Sequence, residues 1–215
     1  MDKNRKKINN VPAIDSFLQE IVEVCSKISR KDIELFIDYL FDAWWNQNNI
    51  FFIGNGGSAS TSIHFAADLN NCTAKIPGVH AVRALSLNEN PSRISALTND
   101  EGWQNVYITQ LKNFFKPGDV VVGISVHGGS GKDRAAIWSQ NLLAALQYAK
   151  DNGGRALGFT GFDGGLMKTL CDVCVNVPQN STPHVEGMHV VLHHLVFDQL
   201  TKRIGRAAQI INSNE

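Results

Sequence analysis

The feature that most constrains this chain is an alternation. Short apolar runs at Ile50–Ile53, His80–Leu85, Val120–Ile124, Ala156–Phe159 and Val173–Val177 are bounded by Gly, Pro, Asn or Asp, the pattern of buried strands. Between them, Ser58–Leu69, Pro91–Thr98, Trp103–Phe114, Gly131–Asn152 and Leu166–Leu170 place apolar residues at helical spacing. Strands separated by helices pair in parallel, and a parallel sheet is covered on both faces. The expected class is α/β, with its ligand site at the carboxyl ends of the strands. Two further helical patterns, Ala13–Arg30 and Lys31–Gln47, precede the first strand, and one long helix is expected over Val185–Ile211.

A chain of 215 residues can bury one core of this kind with accessory helices. Its 20 basic and 20 acidic side chains balance, so no global field favours nucleic acid or an anionic membrane, and any anion site must be built locally. The basic stretch Met1–Asn10 is not followed by the apolar core of a signal peptide, and no apolar run approaches the roughly 18 residues of a membrane span. A cytoplasmic protein is expected. The cysteines, at 25, 72, 171 and 174, are too few and too unevenly placed for a disulfide scaffold. Cys171-Asp172-Val173-Cys174 is a C-x-x-C at the start of a predicted strand, with no second cysteine pair, and reads as structural.

The local anion site is legible in two loops. Ile53-Gly54-Asn55-Gly56-Gly57-Ser58 leads from a strand into a helix. Glycine lets backbone amides approach an anion, and a helix start offers unpaired N–H groups. Ser58 adds a hydroxyl as N-cap or phosphate donor. The P-loop lysine and the G-x-G-x-x-G spacing are both missing, which disfavours a nucleotide. After the strand Val120–Ile124 comes a second loop of the same kind, Ser125-Val126-His127-Gly128-Gly129-Ser130. Two such turns at neighbouring strand ends can close on one phosphate.

Gly54-Asn55-Gly56-Gly57-Ser58 followed by His64-Phe65-Ala66-Ala67-Asp68-Leu69 resembles the sugar isomerase (SIS) domain of phosphoheptose isomerases. The likeness continues through Thr98-Asn99-Asp100, Gly118–Ser130, Thr160–Gly165 and Val185–Leu195. It implies a flavodoxin-like three-layer sandwich with a five-stranded parallel sheet. Residues 1–48 would be oligomerisation helices and 49–215 the SIS domain, in a homotetramer that binds a phosphorylated sugar and neither nucleic acid nor membrane. The implied activity is aldose–ketose isomerisation through an enediol, with a non-catalytic sugar-phosphate or protein-binding SIS module as the rival. Asn55, Gly56, Gly57, Ser58, Ser125, His127 and Ser130 would hold the substrate and its phosphate.

By the same resemblance, Asp68 would be the base, with His194 and Asp100 as further catalytic groups. One divalent metal per subunit, zinc by the resemblance, would be held by His64, Asp68, Glu186 and His194. His64 and Asp68 stand four residues apart, on one helix face. On the last helix, a step of eight turns His194 roughly 80° from Glu186, whereas a step of seven leaves His193 about 20° away. Geometry alone therefore favours Glu186, His189 and His193, while the family spacing selects His194. Asp68 is shorter than the usual family Glu, and the second loop has Val126, His127 and Gly129 where the family carries hydroxyls and an amide.

Overall fold

A computed structural model describes residues 9–129 and 139–212. Five strands, β1 (Asn49–Gly54), β2 (Arg83–Ser86), β3 (Val120–Ser125), β4 (Arg155–Gly161) and β5 (Val173–Val177), form one sheet in the order β2-β1-β3-β4-β5. Every pairing is parallel. This is the flavodoxin-like order, in which the chain adds β2 on one side of β1 and then crosses back to add β3 on the other.

The helices are α1 (Val11–Lys27), α2 (Arg30–Trp45), α3 (Gly57–Asn71), α4 (Pro91–Glu101), α5 (Val106–Phe114), α6 (Gln140–Asp151), α7 (Met167–Leu170) and α8 (Thr182–Asn212). Alternation along β1 divides the core. Ile50 and Phe52 face a cluster with Phe36 and Leu40 of α2, Phe65 and Leu69 of α3 and Leu192 and Val196 of α8. Phe51 and Ile53 face the other cluster, with Tyr107 and Leu111 of α5, Leu142 and Leu146 of α6, and Met167. The period-two rule of a strand thus assigns one β1 residue after another to opposite helix layers.

Several boundaries differ from the sequence expectation for local reasons. The second strand starts at Arg83 rather than His80. His80 is instead clasped to α2: its backbone oxygen accepts from Trp44 Nε1 at 3.0 Å, and its Nε2 lies 2.6 Å from the Trp44 carbonyl oxygen. Of the helix expected over Gly131–Asn152, residues 131–138 lie outside the described residues; α6 starts at Gln140, after Ser139 with a left-handed backbone (φ 57°). Gly102, at φ 84°, ends α4, and a single 3-10 turn over Trp103–Asn105 precedes α5. The long last helix begins three residues early, at Thr182, with Pro183 in its first turn, where a missing N–H costs nothing. Trp44 is buried and Trp45 exposed. No helix among the described residues is long and apolar enough to cross a membrane.

Candidate functional site

The ends of β1 and β3 lie side by side and deliver both loops to one edge of the sheet. Gly56 adopts φ 57° and ψ −126°, a conformation that a side chain would strain, and so turns the chain into α3. The helix starts at Gly57 with Gly56 as its N-cap. Ser58 is therefore inside the first turn and does not cap it. Its hydroxyl makes no hydrogen bond among the described residues. In the second loop, Ser125 Oγ accepts from the Gly128 N–H at 3.1 Å and fixes the turn.

The loops enclose a cavity of about 720 Å³. Asn55, Gly56, Gly57, Ser58, Ser125 and His127 all line it, so the two loops converge as their pattern required; Ser130 lies outside the described residues. Asn55 is held in place by reciprocal hydrogen bonds with buried Asn141, Nδ2 of each donating to Oδ1 of the other at 3.0 and 2.9 Å. Tyr107 donates its hydroxyl to the Gly54 carbonyl, and burial pushes its pKa up to about 12, so it stays protonated as a brace for the loop.

Glu186 departs from its expected role. It lines this cavity, and its carboxylate occupies the space beside Gly57, where a Cβ would come within 2.6 Å of Oε1. It is not part of the histidine cluster described next. The physical reason is length: seven residues of helix from Glu186 to His193 rise roughly 10 Å, beyond the reach of a glutamate.

That cluster lies where α3 packs on α8. Asp68 Oδ2 is 3.3 Å from His193 Nε2, 3.5 Å from His64 Nε2 and 3.8 Å from His194 Nε2. One ligand atom from each of the four residues lies within 4.8 Å of all the others. His194 Nδ1 is 2.9 Å from the Val190 carbonyl oxygen. That bond requires a proton on Nδ1 and leaves the Nε2 lone pair facing the cluster. His193 is buried, with Nδ1 unpartnered. Burial, then its two histidine neighbours, lower its pKa to about 4, so it is neutral at pH 7, as a metal ligand must be. Three imidazoles and a carboxylate fit zinc chemistry. His189 does not join them: its Nε2 lies 3.1 Å from the Thr160 carbonyl oxygen on β4.

Asp100 is not brought to either place. It sits exposed near the end of α4 and bonds to Asn99. Conversely, sequence reasoning passed over Ser139, Phe162, Asp163 and Thr182, all on the cavity wall. The side chain of Phe162 is presented by a left-handed backbone, φ 52°, which no local pattern announces. A signal for His193 did exist: it falls on the stripe of buried residues Val185, His189, Leu192 and Val196 that α8 turns to the sheet and α3.

Residues 16–161 match the family model described as the SIS domain. The chain belongs to the SIS-domain family. The lincomycin biosynthesis protein LmbN of Streptomyces lincolnensis is 45% identical over 159 residues, 72% of this chain but only 56% of that longer protein. A phosphoheptose isomerase of Helicobacter pylori is 34% identical over 181 residues, 84% of this SIS chain and 86% of the relative. The structure of a phosphoheptose isomerase from Neisseria gonorrhoeae matches with a TM-score of 0.78 at 26% identity, covering 90% of this chain and 100% of that one.

Proposed function

We propose that this SIS domain is an aldose–ketose isomerase that interconverts sedoheptulose 7-phosphate and its aldose partner through an enediol. The observation that carries the reading is the pairing of α3 with α8. Gly57 and Glu186 mark the cavity end of the pair, and His64 and His193 lie seven residues along each helix, about 10 Å away. An extended carbon chain advances roughly 1.2 Å per bond, so a seven-carbon ketose 7-phosphate places its C2 about 8 Å from phosphorus and a five-carbon one about 6 Å. The longer sugar matches the distance between the loops and the cluster.

In this reading the amides at the start of α3, with Ser58, Ser125, Ser130 and His127, hold the phosphate. Asp68 takes the proton from the carbon beside the carbonyl and returns it to the neighbouring carbon, while the proton exchanged between the two oxygens travels through solvent, since His194 has its Nδ1–H on the Val190 carbonyl and its Nε2 given to the metal. Proton uptake and release balance over the cycle. His64, Asp68, His193 and His194 would hold one zinc ion per subunit, which when bound supplies Lewis acidity at the carbonyl oxygen. A purely binding SIS module has no use for three histidines gathered on one carboxylate, which favours the enzyme over that rival.

The exposed apolar residues Val11, Ile14, Leu18 and Val22 of α1 and Val191 and Leu195 of α8 support a homotetramer assembled through the first and last helices, with residues 1–48 as its oligomerisation segment. A cytoplasmic location, with no nucleic acid or membrane partner, completes the reading. The deciding experiment follows proton exchange with solvent deuterium and product formation from sedoheptulose 7-phosphate, beside six- and five-carbon ketose phosphates, with metal counted per subunit. Absence of turnover on all of them would reject the isomerase.

A further inference from the structure

The thiols of Cys171 and Cys174 converge, which their sequence pattern did not announce. Cys171 follows the last residue of α7 and Cys174 is the second residue of β5. Both sulfurs lie over Gly158 on β4: a Cβ built there would meet each Sγ at 3.2 Å. The absence of a side chain at Gly158 thus makes room for two sulfurs side by side. Both cysteines are reduced and partly exposed.

We propose that Cys171 and Cys174 form a redox-active dithiol that closes reversibly to an internal disulfide by exchange with a low-molecular-weight disulfide. The Cys174 thiolate attacks one sulfur of the oxidant R–S–S–R, forming a mixed disulfide and releasing one RS⁻. Cys171, losing its proton to solvent, then attacks the Cys174 sulfur and releases the second RS⁻. The two electrons from the protein thiols reside in the two thiols of the reduced oxidant.

The surroundings assign the roles. The hydrogen bond from Cys171, with the nearby Lys168, lowers the pKa of Cys174, while that of Cys171 is raised by the same bond and by burial. Cys174 is thus the first to ionise, and a partly exposed thiolate near a lysine, here Lys168, is the kind that reacts. Cys72 is the internal contrast: it is buried, and desolvation pushes its pKa up to about 11. The pair also touches the sugar-phosphate side of the molecule. Cys174 Sγ is 3.2 Å from Thr160 Oγ1, which donates to Asn176 Oδ1, and Asn176 Nδ2 donates to the carbonyl of Phe162 in the cavity wall.

The test uses the full chain under native conditions with 2-hydroxyethyl disulfide as the oxidant. The expected product has lost the mass of two hydrogen atoms, maps to the peptide holding both Cys171 and Cys174, and reverts with dithiothreitol. Cys171→Ser should stop at the mixed disulfide on Cys174, and the doubly substituted Cys25→Ser, Cys72→Ser chain should still close. Native labelling of Cys174 should exceed that of Cys72 at least about tenfold. A persistent mixed disulfide in the unsubstituted chain, a bridge involving Cys25 or Cys72, or closure only in urea would overturn the proposal. None of these readouts depends on isomerase activity.

Discussion

The loop cavity and the histidine cluster occupy opposite ends of the same helix pair and are built in opposite ways. The cavity is made largely of backbone: two strand ends, a glycine with positive φ and the start of a helix set its shape. The cluster is made of side chains from two helices more than a hundred residues apart in sequence, and nothing in either helix alone gathers them. One end can therefore be damaged by a single methyl group, whereas the other is damaged by removing a ligand atom.

The largest effect should come at the cluster. Asp68→Asn is expected to lower turnover by about 10²–10⁴ and to abolish carbon–deuterium exchange; exchange at the normal rate would remove Asp68 from the chemistry. His193→Gln should come next, taking metal content from one per subunit to near zero, while Glu186→Gln leaves it unchanged. Metal lost on Glu186→Gln but retained on His193→Gln would reverse the division drawn here between the two ends.

At the cavity, Gly57→Ala forces a methyl against the Glu186 carboxylate. It should weaken sugar-phosphate binding about tenfold by displacing that carboxylate in the cavity wall, and change stability by less than about 1 kcal/mol because the carboxylate can turn away and alanine suits a helix, with metal content intact. Calorimetric titration and urea unfolding report the two separately. The smallest effect lies between the ends, at His189, whose pKa burial depresses to about 4. A histidine that is harder to protonate when folded stabilises the protein fully above its unfolded pKa of about 6.5, and this contribution is lost as pH falls towards 4. Unfolding free energy should drop by about 2 kcal/mol between pH 7 and pH 5 from this group, and His189→Leu should remove about half of the slope, the rest coming from His193, whose pKa is lowered likewise.

The same contrast explains what could be read in the sequence. The sheet and both loops were legible because short apolar runs, glycines and serines are local signals, and parallel strands bring their carboxyl ends together without further instruction. His64 and Asp68 were legible as a pair for the same reason, being one helical turn apart. The choice between His193 and His194 was not resolvable by spacing alone, because α8 turns neighbouring residues towards α3 and both reach Asp68. Glu186 was not legible as a cavity residue, because spacing along the family pattern says nothing about distance, and helical rise places it at the other end from the histidines. Phe162 and Ser139 depend on left-handed backbone at residues whose type does not favour it.

The close approach of Gly57 and Glu186 also has a hereditary consequence. A side chain at 57 would meet the far end of the Glu186 side chain, whose carboxylate must turn away to admit it, so the two positions are coupled: what residue 57 gains in bulk, residue 186 has to make room for. Relatives with a larger residue at 57 should therefore more often carry a shorter one at 186.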